Sequence, residues 1–208
     1  MKQSSIDKLS RVYNFLCDEL RPDMAELIKE VLRAEGSEKS DSLKFNIYNF
    51  VADPKCPRPQ MTGVFYDGEW RVASDLHILI AEKGVWPEEL QGKIVAQDGS
   101  FIKGTYPKWQ SILPKSLKDY EAHEIDITKV EATIKEYRLQ YKAEYGKSKK
   151  WHNNWTINVD GTYFKAEFIW MLLTAGVEKL YIDKNIKNRV AYFETSYTKG
   201  FIMQVLND

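Results

Sequence analysis

Three Asp-Gly dipeptides constrain the fold of this chain more than any other feature of its sequence. They lie at 67–68, 98–99 and 160–161, and each separates two short extended runs. An Asp-Gly pair between such runs favours the tight turn of a β-hairpin, because both residues tolerate positive φ. The sequence therefore predicts three antiparallel hairpins. In the first, between 64 and 75, side chains alternate so that one face is expected to be buried and the other solvated.

Apolar residues at helical spacing predict helices at both ends of the chain. Residues 6–20 and 24–32 are expected to form an N-terminal helical pair. Asp126 should cap a helix over 127–145 that Gly146 ends, and a last helix around Phe168 should end at Gly176. Other extended runs are typical of strands, first at 45–51 and then as two strands that finish the chain.

The composition excludes several classes of protein. The 208 residues carry 30 basic and 30 acidic side chains, so no overall field attracts nucleic acid. Two distant cysteines and three histidines match no zinc spacing, and the glycines form neither a phosphate loop nor a dinucleotide fingerprint. We therefore expect no metal, no cofactor and no disulfide. The absence of an apolar leader or membrane span predicts a cytoplasmic protein without a membrane partner.

A series of short motifs between residues 45 and 208 resembles the bacterial DNA sliding clamp, the β subunit of DNA polymerase III. The motifs are Arg58-Pro59, the run Val72-Ala73-Ser74-Asp75-Leu76-His77-Ile78-Leu79, the connector from Tyr106-Pro107 to Pro114, the helix from Phe164 to Gly176, and Gly200-Phe201-Ile202-Met203 near the end. The resemblance implies an α+β fold of clamp-like domains, with helices packed on curved antiparallel sheets. The expected domains are 1–116, the N-terminal helices with an abbreviated clamp-like domain, and 117–208, a second clamp-like domain.

The same resemblance implies a tether for replication or repair proteins rather than an enzyme. Sliding clamps encircle duplex DNA and hold partners through a pocket for a short linear peptide. Carried onto this sequence, the peptide-binding pocket comprises Ser74, Leu76, His77, Ile78, Leu79, Pro114, Met203, Gln204 and Val205. Leu76 and Ile78 stand where the family has Gly and Arg. The pocket is therefore expected to be more apolar than the family's, with a different peptide preference or none.

A basic surface is predicted on one flank of the 127–145 helix and in the segment after it. Its candidate DNA-binding residues are Lys135, Arg138, Lys142, Lys147, Lys149 and Lys150. In sliding clamps such helices touch phosphates, and this contact is independent of base sequence. Glu131 and Glu136 lie on the same helix, and mixed charge is also typical of a solvated helix face.

Three functional hypotheses follow from these features. The first is a clamp that encircles DNA; since the family's rings contain six domains, two domains per chain would require a trimer. The second is a monomeric adaptor or inhibitor that keeps the pocket and never encircles DNA. The third is an enzyme that uses Asp75 and His77, although an Asp at a strand end more often caps a turn.

Overall fold

The computed structural model describes residues 45–183 and 190–205. The chain divides into two compact units, Met1–Phe45 and Asn46–Asp208. The predicted N-terminal helical pair lies outside the described residues. Within the described part of the chain, no helix is long and apolar enough to cross a membrane.

The second unit is built around one sheet of nine antiparallel strands and a separate two-stranded hairpin. In chain order the strands are β1 (Val64–Asp67), β2 (Trp70–Ser74), β3 (Ile78–Lys83), β4 (Ile94–Val95), β5 (Phe101–Ile102), β6 (Tyr120–Glu124), β7 (Thr156–Val159), β8 (Thr162–Lys165), β9 (Lys179–Asp183), β10 (Val190–Glu194) and β11 (Thr198–Met203). In space the large sheet has the order β5-β4-β1-β2-β3-β11-β10-β9-β6, and β7 pairs with β8. The last strand therefore lies in the middle of the sheet.

The three predicted hairpins are confirmed as β1–β2, β4–β5 and β7–β8. Gly68, Gly99 and Gly161 all have positive φ, as the tight turns require. The expectation of one solvated face in the first hairpin is wrong, because Val72, Ala73 and Ser74 are all buried. Consecutive buried residues also occur in β3, so both faces of the central strands are covered.

Two α-helices are described, and both confirm the predicted positions. The first, α1 (Ile127–Tyr145), begins where Asp126 Oδ1 accepts a hydrogen bond from the Lys129 N–H at 3.1 Å, and it ends at Gly146 with φ 66°. The second, α2 (Ala166–Thr174), is short and apolar. These helices with antiparallel sheets confirm the predicted α+β class.

The structure corrects two strand predictions and adds one strand. Residues 45–51 form no strand; Ile47–Phe50 is a turn of 3₁₀-helix, in which the Asn46 side chain accepts the Tyr48 N–H. Three strands, not two, finish the chain, and β6 is a strand that the sequence did not predict. The alternating residues of β6 are mostly polar, so hydrophobic periodicity gives no signal there.

The connector between the two halves of the sheet is also confirmed as non-helical apart from one 3₁₀ turn, Trp109–Ser111. Trp109 is 1% exposed and belongs to the core on one face of the sheet, together with Val72, Leu79 and Phe201. The large sheet continues across residue 116, with strands from both sides of that position. The division into domains at 116 stays a prediction.

Candidate functional site

An apolar patch forms where β3, β10 and β11 lie side by side. Leu79 pairs with Phe201, and Phe201 pairs with Tyr192, so the three side chains share one face of the sheet. Met203 pairs with Val190 on the same face. Half-buried apolar residues surround the buried Leu79 and Phe201. We call this set the anchor patch: Leu79, Leu113, Val190, Tyr192, Phe201 and Met203.

The connector supplies the remaining wall of the anchor patch because its aromatic residues are fixed to the sheet. The Tyr106 ring stacks on Phe65 with centroids 5.0 Å apart. The Trp109 Nε1–H donates to Asp67 Oδ2 at 2.8 Å. These contacts hold the chain that follows, so that Leu113 packs against the core and the half-buried Pro114 lies beside it.

The turn between β2 and β3 is fixed by several hydrogen bonds. Asp75 Oδ1 accepts the N–H groups of His77 and Ile78, both at 2.9 Å. The buried Ser74 Oγ accepts the N–H of Leu76 at 3.1 Å. Leu76 is thereby held at φ 80°, a conformation that is strained for a residue other than glycine, and its side chain is 38% exposed. The turn presents an apolar side chain to solvent in a rigid position.

The structure brings together some of the predicted pocket residues and separates others. Leu79 and Met203 lie in the anchor patch, and the Met203 N–H donates to the His77 carbonyl at 2.8 Å. Leu76 and His77 are exposed on the adjoining turn, while Gln204 and Val205 are half-buried next to Met203. Ile78 is 0% exposed and pairs with Ile202, so it lies on the opposite sheet face from Leu79. Ile78 and the buried Ser74 therefore present no surface to a ligand.

Sequence reasoning missed four members of the anchor patch: Leu113, Val190, Tyr192 and Phe201. The two-residue period of a strand would have found one of them, Phe201. Once Met203 is assigned to a site, Phe201 must share its face, and Val190 and Tyr192 share a face with each other. The pairing of β11 with β3 has no signal in the local sequence.

A groove of about 300 Å³ continues from the anchor patch along β10 and β11. Leu113 and Tyr192 belong to both features, and Pro114 lines the groove as well. Beyond them the lining becomes polar and includes Gln110, Lys115, Glu194 and Lys199. The surface therefore combines an apolar end with a charged end.

The six predicted DNA-binding residues are all exposed and lie on α1 or in the segment after it. Arg138 connects the two parts, since its Nη2 donates to the Lys150 carbonyl at 3.4 Å and its guanidinium carbon lies 5.3 Å from the Trp151 ring centroid. The Lys149 Nζ lies 5.9 Å from the Tyr141 ring centroid. Helix geometry puts Lys135, Arg138 and Lys142 on one flank, which Glu131 shares. The surface is basic with one acidic interruption.

The pair Asp75 and His77 shows a turn geometry. The Asp75 carboxylate oxygen that meets this turn accepts two backbone N–H groups, the arrangement of a capping residue. Among the described residues no group of three or more His, Cys, Asp or Glu side chains could hold a metal ion. These contacts account for Asp75 as a turn-capping residue, and His77 takes part in them through its backbone N–H.

The architecture is that of a DNA sliding clamp, and solved structures establish this at the level of the fold. A β sliding clamp of C. crescentus has a TM-score of 0.52 at 10% identity, over 77% of this chain and 62% of that chain. The DNA polymerase III β chain of Streptococcus pneumoniae has a TM-score of 0.50 at 14% identity, over the same shares. The resemblance predicted from the sequence motifs is thereby confirmed.

The similarity to these clamps covers only part of their length and is seen in the structure, not in sequence comparisons. This chain spans 62% of the length of both clamps. No protein-family model matches the sequence. No curated protein matches it either.

Proposed function

We propose that this protein is a tether of the sliding-clamp type, which binds a short linear peptide of a replication or repair protein at the anchor patch. The observation that carries the proposal is the convergence of three distant chain segments, around Leu79, Leu113 and Met203, into one half-exposed apolar surface. Such a surface with a few apolar anchors suits a short peptide. The clamp fold supports the same function.

We expect the anchor patch to contact one or two apolar side chains of a peptide. Full burial of one Leu or Phe side chain contributes about 1.5 to 3 kcal/mol. Two such side chains contribute at most about 6 kcal/mol before the cost of ordering a flexible peptide, so the apolar anchors alone are expected to give an affinity weaker than micromolar. Leu76, held rigidly beside the patch, adds apolar contact at its edge.

A random heptapeptide display library tests the proposal directly. Peptides selected on the full chain should bind with an affinity that Met203→Asp lowers at least about tenfold, equivalent to ~1.4 kcal/mol. Val85→Asp is the matched control, because Val85 is 79% exposed and lies outside the anchor patch. If no peptide is enriched, or if both variants weaken binding equally, the proposed site is wrong.

The basic surface supports a second contact, with the phosphates of duplex DNA. Replacing Lys135, Arg138 and Lys142 together by Gln should weaken binding of a duplex of random sequence. The slope of the logarithm of the association constant against the logarithm of the salt concentration should become shallower by up to roughly 0.9 for each lost phosphate contact. The same change at Lys93, Lys103 and Lys118, which are exposed elsewhere, is the control. Equal affinities in both triple variants would contradict DNA binding at α1.

The mass in solution distinguishes a monomeric adaptor from a clamp that closes a ring. Light scattering over a concentration series should give a trimer if the chain closes a six-domain ring. A monomer at every concentration favours the adaptor, which retains peptide binding at the anchor patch and loses encirclement of DNA. Retention on circular compared with linearised DNA then separates the two functions.

A further inference from the structure

We propose that the groove beyond the anchor patch recognises an acidic side chain, so that the partner peptide carries Asp or Glu next to its apolar anchor. The inference rests on the proposed function and specifies the chemistry of the peptide. The residue that would contact the peptide carboxylate is Lys199.

Lys199 is held in the groove by aromatic rings rather than by an acidic partner. Its Nζ lies 4.1 Å from the Trp70 ring centroid and 5.2 Å from the Trp109 ring centroid. It forms no ion pair with any carboxylate of the described residues. Lys199 is half-buried as a residue, and its ammonium group is positioned by the two indole rings, so it can form a charge-assisted hydrogen bond with an arriving carboxylate.

Neither of two acidic residues in this region, Asp67 and Glu194, forms an ion pair with Lys199. The Asp67 carboxylate accepts hydrogen bonds from the Trp109 Nε1–H and from the Gln110 side-chain amide. Glu194 pairs with Lys199 in the strand register but is exposed and makes no ion pair with it. Lys115 adds a second positive charge to the groove lining. The groove therefore carries two lysines against one glutamate.

The position of Lys199 relative to the anchor patch gives the spacing of the motif. Lys199, Phe201 and Met203 alternate along β11 and share one face of the sheet. The two-residue repeat of a strand is about 6.6 Å, so Lys199 lies about two extended peptide residues from Phe201, and we expect the acidic residue within three residues of the apolar anchor. The groove lies between these two points and is continuous with the patch through Tyr192.

The test uses the random heptapeptide library selected on the wild-type chain. We expect Asp or Glu to be enriched within three residues of the apolar anchor. The most enriched peptide and its twin, with Asn or Gln in place of Asp or Glu, are then compared by fluorescence anisotropy. The acidic peptide should bind about tenfold tighter than its amide twin, and the difference should shrink as salt is added.

Two variants with opposite effects identify the groups responsible. Lys199→Met keeps an unbranched side chain on both indole rings and should lower the affinity for the acidic peptide to that of the amide twin. Glu194→Gln removes a negative charge from the groove lining and should raise the affinity for the acidic peptide several-fold. Neither variant should change binding of the amide twin. Lys103→Met is the control, because Lys103 is exposed and lies outside the groove lining.

The outcomes separate this inference from the proposed function. If peptides are enriched without an acidic residue, or if Lys199→Met weakens both twins equally, the acidic preference is refuted while the peptide site stands. If the library yields no peptide at all, both are refuted. A melting temperature of Lys199→Met close to the wild type confirms that the variant is folded.

Discussion

Replacement of Tyr106 by Phe should stabilise the protein, because it removes an unpartnered hydroxyl group from the core. Tyr106 is 6% exposed, and its hydroxyl has no hydrogen-bond partner among the described residues. Its ring stacks on Phe65, a contact that Phe keeps. A buried hydroxyl without a partner costs about 1 to 3 kcal/mol, so Tyr106→Phe should raise the free energy of unfolding by a similar amount.

The pH dependence provides an independent signature of the same hydroxyl. Burial raises the pKa of Tyr106 well above its usual value near 10. The folded chain therefore keeps this proton at a pH where the unfolded chain loses it. The free energy of unfolding falls as the pH rises above the pKa that Tyr106 has in the unfolded chain. The loss attributable to one such group is about 1.4 kcal/mol at pH 11. The gain from Tyr106→Phe should therefore increase from pH 9 to pH 11.

Urea unfolding of both proteins at pH 7, 9 and 11 measures these quantities. Tyr137→Phe is the control, because the Tyr137 hydroxyl donates to the Thr156 carbonyl at 3.0 Å. That variant should lose about 0.5 to 1.5 kcal/mol. If Tyr106→Phe is destabilised at pH 7, or if its advantage is independent of pH, the hydroxyl is satisfied and the reasoning fails.

Two further variants test the sheet and the first helix. Gly200→Ala should lower the melting temperature by roughly 10 °C, because the added Cβ would lie 1.9 Å from the Leu79 carbonyl oxygen and force β11 away from β3. An unchanged melting temperature would show that the added Cβ does not displace β11. Asp126→Ala should lower the melting temperature at pH 7 by removing the helix cap. The hydrogen bond from the Lys129 N–H lowers the pKa of Asp126, so the difference should disappear as the pH falls below about 4, through the lowered pKa. A constant difference down to pH 2 would exclude the carboxylate as the cap.

Local signals in the sequence predicted the three hairpins and the two helices of the described residues. The Asp-Gly turns and the pair Asp126 and Gly146 act within a few residues, and the structure confirms each of them. The strand β6 escaped prediction because it is mostly polar and is defined by its pairing with β9. Its stability comes from backbone hydrogen bonds to a segment about 60 residues away, which no local pattern records.

The candidate site was predicted less completely, for the same reason. The run from Ser74 to Leu79 was assigned as a unit, yet adjacent strand residues point to opposite faces, so Ile78 is buried away from Leu79. Tyr192 and Lys199 were not predicted, because their roles depend on the pairing of β10 with β11 and on the position of Trp109.

The alternation of β11 allows binding and folding to be changed separately. Lys199, Phe201 and Met203 face the groove and the anchor patch, whereas Ile202 is fully buried on the other face, and Gly200 meets the backbone of β3. Substitutions at Lys199 and Met203 therefore act on a half-exposed surface, while those at Gly200 and Ile202 act on close-packed atoms. Because these positions alternate within one strand, a loss of peptide binding at an unchanged melting temperature assigns the effect to the site rather than to the sheet.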